Sequence, residues 1–290
     1  MGTRFTAGIN PPAADEQGLW FIFQGFRLLV IRHATHAELP RLFSPEDAGL
    51  PIQQKIFLGT LKGEGGAVPC YCGEVGDQAV PPDGYAFESL RPLYTLLDEQ
   101  TFWLAGRAVQ IVDWDRTSRF CGRCGNETEA QPNERSKICP RCQLTDYPRL
   151  SPAVIVRVTR DTEQGPEILL ARAQRFTTAM FSVLAGFVEP GETLEECVER
   201  EICEEVGITV RNIQYFGSQP WPFPHSLMIA FTADYGSGDI HIDRTELAEA
   251  AWFAPHSLPA IPPPPSVANK LIQAFLDETN LRESANLLSR

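Results

Sequence analysis

Between Gly186 and Ile208 the chain runs Gly-Phe-Val-Glu-Pro-Gly-Glu-Thr-Leu-Glu-Glu-Cys-Val-Glu-Arg-Glu-Ile-Cys-Glu-Glu-Val-Gly-Ile. No other stretch fixes so many residue types at set intervals, and none constrains the fold as much. Pro190-Gly191 predicts a turn. The helix expected after it carries Leu194, Val198, Ile202 and Val206 at i, i+4, i+8 and i+12, one apolar stripe that must face a core. Gly207 ends it as a C-terminal glycine does. On the opposite side Glu201, Glu204 and Glu205 fall at i, i+3 and i+4, so three carboxylates share one patch where like charges repel. A divalent cation resolves that conflict. Hard oxygen donors in a loose cluster, completed by waters and substrate phosphates, suit Mg²⁺ or Mn²⁺ better than Zn²⁺. Arg200 is placed to pair with Glu196 or Glu204 one turn away. A merely solvated acidic face is the plain alternative; the fixed glycines and the Arg200-Glu201 pair argue against it.

Upstream, Cys121-Gly-Arg-Cys124 and Cys139-Pro-Arg-Cys142 form two C-x2-C knuckles, the spacing of a four-cysteine zinc ribbon. Four thiolates leave no open position, so this metal is expected to be structural, one Zn²⁺ per chain. Disulfides or buried thiols are the alternatives; the lack of a secretory signal weighs against the first, and the paired knuckles favour zinc. Cys70, Cys72, Cys197 and Cys203 have no such partners, and the last two are expected to be packing residues of the acidic helix.

Downstream of the helix, Ser218-Gln-Pro-Trp-Pro-Phe-Pro-His-Ser226 sets three prolines around Trp221 and Phe223. Residues without an amide hydrogen fit neither a helix interior nor a central strand. The segment reads as a rigid loop presenting aromatic faces, suited to stacking a nucleobase or nicotinamide ring at about 1–3 kcal/mol per stack. A proline-rich surface loop or partner-binding segment is the alternative.

Written as G-x5-E-x7-R-E-U-x-E-E-x-G-U, with U a bulky aliphatic residue, the Gly186–Ile208 segment resembles a complete Nudix box. With the ribbon before it and S-Q-P-W-P-F-P-x-S after it, the chain from about Arg91 onward resembles the NADH pyrophosphatase family, whose members also remove NAD caps from RNA. The resemblance implies metal-dependent hydrolysis of the diphosphate of NADH or NAD⁺ to AMP and nicotinamide mononucleotide. It further implies that the Ala185 carbonyl, Glu201, Glu205 and Glu246 hold more than one Mg²⁺ or Mn²⁺ ion, with Glu204 as an additional ligand or base. Arg200 belongs to the same catalytic set. Gln219, Pro220, Trp221, Pro222, Phe223, Pro224, His225 and Ser226 match substrate-contacting positions, as do Arg91, Tyr147 and Ala268. The implied fold is α+β: a Nudix α/β/α sandwich around a mixed sheet, preceded by the ribbon and by a degenerate Nudix-like domain that helps form a homodimer. The corresponding divisions are 1–115, 116–149 and 150–290.

Composition is compatible with this. A chain of 290 residues, 43% hydrophobic, can fill two cores and carry a small insert. No run approaches a membrane span and no signal-like start is present, so a soluble cytoplasmic protein is expected. The net charge of -12 disfavours long-range attraction to nucleic acid. The ribbon neighbourhood runs the other way: Arg116, Arg119, Arg123, Arg135, Lys137, Arg141 and Arg149 outnumber the five acids between Asp115 and Arg149. That excess either meets an RNA tail or balances the fold.

Along the chain, residues 1 to about 18 are expected to be irregular. Strands are expected over Trp20–Ile31 with a turn near Gln24-Gly25, and over Ile56–Leu61, with a helix over Leu93–Val112. Further strands are expected at Ala153–Thr159, Glu167–Arg172, Ser226–Asp234 and Leu247–Phe253, and a last helix at Ser266–Phe275. Two other functions stay open: a Nudix hydrolase for ADP-ribose or dinucleoside polyphosphates, and a non-enzymatic RNA-binding protein using ribbon and box as scaffolds.

Overall fold

The computed structural model describes residues 4–12, 16–63, 66–174 and 179–288, and the chain divides into two units, Met1–Arg149 and Leu150–Arg290. The first unit holds β1 (Arg4–Ala7), β2 (Gly18–Gln24), β3 (Arg27–Arg32), β4 (Ala37–Glu38), β5 (Arg41–Leu42), β6 (Ile56–Gly63), β7 (Gly66–Glu74), β8 (Tyr85–Ser89) and α1 (Glu99–Thr117). Its sheet runs β1-β6-β7-β2-β3-β4, with β5 on β2 and β8 on β3. The central strand β2 is apolar on both faces because both are covered. Trp20 and Ile22 pack with Leu29, Phe57, Tyr71 and Phe87 on one side, and α1 packs against β2 and β7 on the other.

Two expectations need correction. Arg4–Ala7 is a strand, in antiparallel register with Lys62–Gly59; its side chains are mostly exposed, so no alternation marks it. Residues 1–3 and 13–15 of the segment read as irregular lie outside the described residues. The helix begins at Glu99 rather than Leu93, because Arg91–Thr95 forms a separate 3₁₀ turn around Pro92 and the Asp98 carboxylate caps α1 by accepting from the Thr101 amide at 3.0 Å.

The ribbon contributes β9 (Glu129–Ala130), β10 (Lys137–Ile138) and β11 (Thr145–Asp146), in the order β11-β10-β9. Part of its basic excess is consumed inside the unit. Lys137 is buried and paired with Asp115 at 2.8 Å, Arg135 donates to the Gly8 and Phe57 carbonyls, and Arg116 pairs with Glu74 and Asp113.

The second unit holds β12 (Ser151–Thr162), β13 (Gly165–Ala173), β14 (Leu184–Phe187), α2 (Leu194–Val206), β15 (Thr209–Trp221), β16 (Ser226–Ser237), β17 (Leu247–Phe253) and α3 (Val267–Leu288). Its sheet order is β15-β16-β12-β13-β17, with β14 on β12. Period-two alternation assigns each face a helix. Val154, Val156, Val158, Leu169 and Phe231 meet Val198, Ile202 and Val206 of α2, while Ile155, Ile168, Leu170 and Ala230 meet Leu271, Ile272 and Phe275 of α3. The result is an α/β/α sandwich around a mixed sheet, since β12–β16 is parallel and the other pairs antiparallel.

The first unit uses the same scheme: β2–β7 is parallel, and β3 and β6 flank it antiparallel. Between β3 and β6, however, its described residues offer only two-residue strands and a 3₁₀ turn at Pro45–Ala48, where the second unit has α2. It is a Nudix-like sheet without the acidic helix. No described helix is long and apolar enough to cross a membrane.

Candidate active site

The acidic helix is built as its residues dictate. Glu189–Glu192 closes a turn with Gly191 at φ 98°. Thr193 then caps α2 reciprocally: its Oγ1 accepts from the Glu196 amide at 3.2 Å, and its own amide donates to the Glu196 carboxylate at 2.7 Å. Gly207 ends the helix at φ 74°.

That cap takes Glu196 away from Arg200. The guanidinium instead donates through Nη2 and Nε to Glu192 at 2.5 and 3.1 Å, and through Nη1 to Glu201 at 2.9 Å and Glu204 at 3.0 Å. Nη2 also donates to the Phe187 carbonyl at 3.0 Å. One planar fork thus ties the turn, the helix and β14 together, a geometry lysine cannot reproduce. The Arg200 guanidinium holds the Glu192 carboxyl down to about 2. Glu192 stands in the sequence pattern, but its partnership folds back across the turn, beyond the reach of helical spacing.

The carboxylate of Glu201 lies directly over Gly186: a Cβ there would stand 1.8 Å from Glu201 Cδ. The first glycine of the motif is therefore a seat for an acid, and it brings that acid beside the exposed Ala185 of β14. Burial pushes the Glu201 carboxyl up, with Arg200 opposing and the charges of Glu204 and Glu246 adding to the rise. Glu205 is 7% exposed and Glu204 is exposed. Glu246 reaches the cluster through a loop docked on the end of α2. The His241 and Asp243 amides donate to the Val206 and Glu205 carbonyls at 2.9 Å each, and Asp243 O accepts from the Glu246 amide at 3.2 Å. An excess of carboxylates around one arginine fits a hard divalent cation. The spacing is loose, for among the described residues only the four ribbon cysteines and His33-His36-Glu38 bring three or more such ligands within 4.8 Å of one another. Loose carboxylates that leave room for waters and phosphates are the usual magnesium arrangement.

The Pro-aromatic segment corrects the expectation of a loop throughout. Ser218–Trp221 continues β15 and pairs with Ile229–Ser226 of β16; β15 is an edge strand, where Pro220 removes no needed donor. Only Pro222–His225 turns. Through Ala153, which pairs with both Phe187 and Met228, the register puts Gln219 at the same end of the sheet as the start of the acidic motif. Trp221 and Phe223 are half-buried and meet edge to face, centroids 5.2 Å apart. His225 is fixed by Ser151, its Nδ1 3.1 Å from the Ser151 hydroxyl. Pro222 and Ser226 are buried, and Pro224 is exposed.

Gln219 turns inward. Its Nε2 donates to Pro265 O at 2.8 Å and its Oε1 accepts from the Val267 amide at 2.7 Å, which anchors the start of α3. Ala268, one residue on, is buried in the core on that face. In the first unit, Arg91 is exposed at its 3₁₀ turn, and Tyr147, also exposed, donates to Glu134 at 3.1 Å.

The ribbon cysteines converge. Cys121–Cys142 and Cys124–Cys139 sulfurs are each 3.5 Å apart, near the roughly 3.8 Å edge of a tetrahedron with Zn–S bonds of about 2.3 Å. The two knuckles share one geometry: the Cys121 and Cys139 carbonyls accept from Gly125 and Gln143, both left-handed at φ 71° and 59°. The four sulfurs fit a structural zinc. Cys197 is a buried packing residue, its thiol pushed up to about 11 by burial, but Cys203 is exposed because it lies off the apolar stripe.

Comparison with known proteins agrees with this layout. Residues 17–114 match the NADH pyrophosphatase-like rudimentary NUDIX domain, 116–147 the NADH pyrophosphatase zinc ribbon domain and 149–275 the NUDIX domain. The chain is 46% identical over 227 residues to the NAD-capped RNA hydrolase NudC of Pseudomonas aeruginosa, covering 78% of each chain. It is 42% identical over 272 residues to that of Deinococcus radiodurans, covering 94% of this chain and 92% of the relative. With both proteins matched along most of their length and all three modules in order, the chain belongs to the zinc-ribbon NADH pyrophosphatase family of Nudix hydrolases.

Proposed function

We propose that this protein hydrolyses the diphosphate bond of NAD(H) to AMP and nicotinamide mononucleotide, and removes the NAD cap from RNA to leave a 5′-monophosphate end. The observation that carries the reading is the seating of Glu201 on Gly186, within an intact acidic cluster at the same sheet end as Trp221 and Phe223.

In this reading the Ala185 carbonyl, Glu201, Glu204, Glu205 and Glu246 hold magnesium or manganese, which neutralises the diphosphate and acidifies a water when bound. Arg200 keeps Glu201 and Glu204 in place, so that the carboxylates do not reorganise as charge develops. Glu204 or Glu205 accepts the proton of the attacking water. Trp221 and Phe223 stack the base or nicotinamide ring, and the rest of Gln219–Ser226, with Arg91, Tyr147 and Ala268, completes the substrate-contacting set. The same reading assigns zinc to the ribbon, parts at 1–115, 116–149 and 150–290, and a homodimer working in the cytoplasm.

Phosphorus NMR of products from wild-type and Glu205→Gln protein tests the assignment, with NADH, NAD⁺, ADP-ribose and NAD-capped RNA as substrates, with and without Mn²⁺. Metal-dependent cleavage of NADH or capped RNA, abolished in the variant, is the expected result. Cleavage of ADP-ribose alone would overturn the role given to the aromatic segment, and full turnover by Glu205→Gln would overturn the role of the acids.

A further inference from the structure

A second group of metal-ligating side chains stands in the first unit and plays no part in the chemistry above. The strands β3 and β4 pair as Ile31↔Glu38 and Arg32↔Ala37, and the His33 amide donates to the His36 carbonyl at 2.9 Å. The register therefore opposes His33 to His36 across a two-residue turn, on one face. Glu38, two residues beyond His36, shares that face. A short hairpin thus presents two imidazoles and a carboxylate together, on paired backbone.

The ligand atoms converge. His36 Nε2 is 3.1 Å and His33 Nε2 3.5 Å from the same oxygen, Glu38 Oε1, and all three ligand atoms lie within 4.8 Å of one another. With metal–ligand bonds of about 2.1 Å, two donors of a tetrahedral centre stand about 3.4 Å apart, and both separations bracket that edge. The imidazole rings are stacked, centroids 4.3 Å apart and 12° from parallel, so the nitrogens are close, and a rotation of one exposed ring about its side-chain bonds brings both in-plane lone pairs onto one ion.

We propose that His33, His36 and Glu38 form a second metal site, for a borderline transition-metal dication such as Zn²⁺, Ni²⁺, Co²⁺ or Cu²⁺. The donor set decides the class: imidazole nitrogen selects these ions, whereas Mg²⁺ prefers an all-oxygen shell. It also separates this site from the all-thiolate ribbon and from the carboxylates of α2. All three side chains are substantially exposed, at 42%, 53% and 57%, so the remaining coordination positions face water.

The test uses the full-length, zinc-loaded protein in excess Mg²⁺, with Ni²⁺ uptake measured by equilibrium dialysis for the wild type and for His33→Gln/His36→Gln. The expected result is one more equivalent of Ni²⁺ bound by the wild type, with NADH turnover equal in both proteins. Cu²⁺ bound at the site should show hyperfine splitting from two nitrogens in its electron paramagnetic resonance spectrum, reduced to one nitrogen in His36→Gln. Equal Ni²⁺ uptake by the two proteins, or a Cu²⁺ spectrum without nitrogen splitting, would overturn the proposal. Because the exposed substitutions leave the core untouched, circular dichroism confirms that any loss of metal is not a loss of fold.

Discussion

Replacing Gly186 by alanine separates its service as a seat from its place in the strand. A methyl group there would stand 1.8 Å from Cδ of Glu201 and 2.1 Å from both carboxylate oxygens. Non-bonded carbons settle no closer than about 3.5 Å, so the carboxylate must retreat by about 1.7 Å or β14 must move. The side chain yields first, since only its torsions turn, whereas β14 is fixed to β12 along its length. Retreat breaks the 2.9 Å bond to Arg200. Displacing a catalytic group by about 1 Å costs on the order of 100-fold, so kcat/KM for NADH is expected to fall about 100-fold, about 2.7 kcal/mol of transition-state stabilisation. Folding stability should change by less than about 1 kcal/mol, because alanine in a strand recovers roughly 0.5–1 kcal/mol of the entropy that glycine loses. Steady-state kinetics and thermal unfolding of the same preparation read both quantities. A variant with wild-type kcat/KM would refute the reasoning, and so would one whose activity fell only in proportion to a large loss of stability.

The remaining predictions concern the groups around that seat. Arg200→Ala removes the cation that opposes the upward shift of Glu201, so the acid limb of the pH–kcat/KM profile should move to higher pH; an unmoved limb would exclude Glu201 as its source. Gln219→Ala strands the buried Val267 amide and should cost about 1–3 kcal/mol in urea unfolding; unchanged stability would refute its anchoring of α3. Trp221→Ala should raise KM for NADH by roughly 5- to 150-fold, the equivalent of a stack worth about 1–3 kcal/mol, and an unchanged KM would remove its stacking role. Glu192 has its carboxyl lowered from 4.5 to about 2 in the fold, so its contribution to stability is fully present above 4.5 and disappears as pH falls through about 2. The gap in melting temperature between wild type and Glu192→Gln should close over that range, and a constant gap would contradict the pairing.

The helix of the acidic motif was legible because its stripe, its turn and its terminal glycine are local signals that agree. Most strands of the second unit were legible for the same reason, through apolar runs bounded by glycine and proline. What escaped was made by contacts between distant residues. Helical spacing offers Arg200 only Glu196 and Glu204; the T-x-x-E capping box is the local signal that Thr193 claims Glu196, whereas nothing local says that Glu192 returns across the turn. The strand character of Ser218–Trp221 was hidden by its prolines, whose prohibition lapses on an edge. Gln219 sits among aromatic residues in sequence, and only the arrival of α3 turns its amide inward. The later start of α1 was signalled by Asp98, a capping residue one position before the helix, but the apolar spacing from Leu93 outweighed it. His33, His36 and Glu38 carry no motif; pairing alone assembles them.

The last carbonyls of a helix are ordinarily left to solvent, and the end of a helix is where local opening begins. In α2 two of them, at Glu205 and Val206, are taken by the loop that carries Glu246. Fraying of that last turn consequently also removes part of the anchorage of the distant acid, leaving it to the Gln174 amide that donates to the Glu246 carbonyl at 2.8 Å. Glu205 and Glu246 are thus tied through backbone as well as through charge.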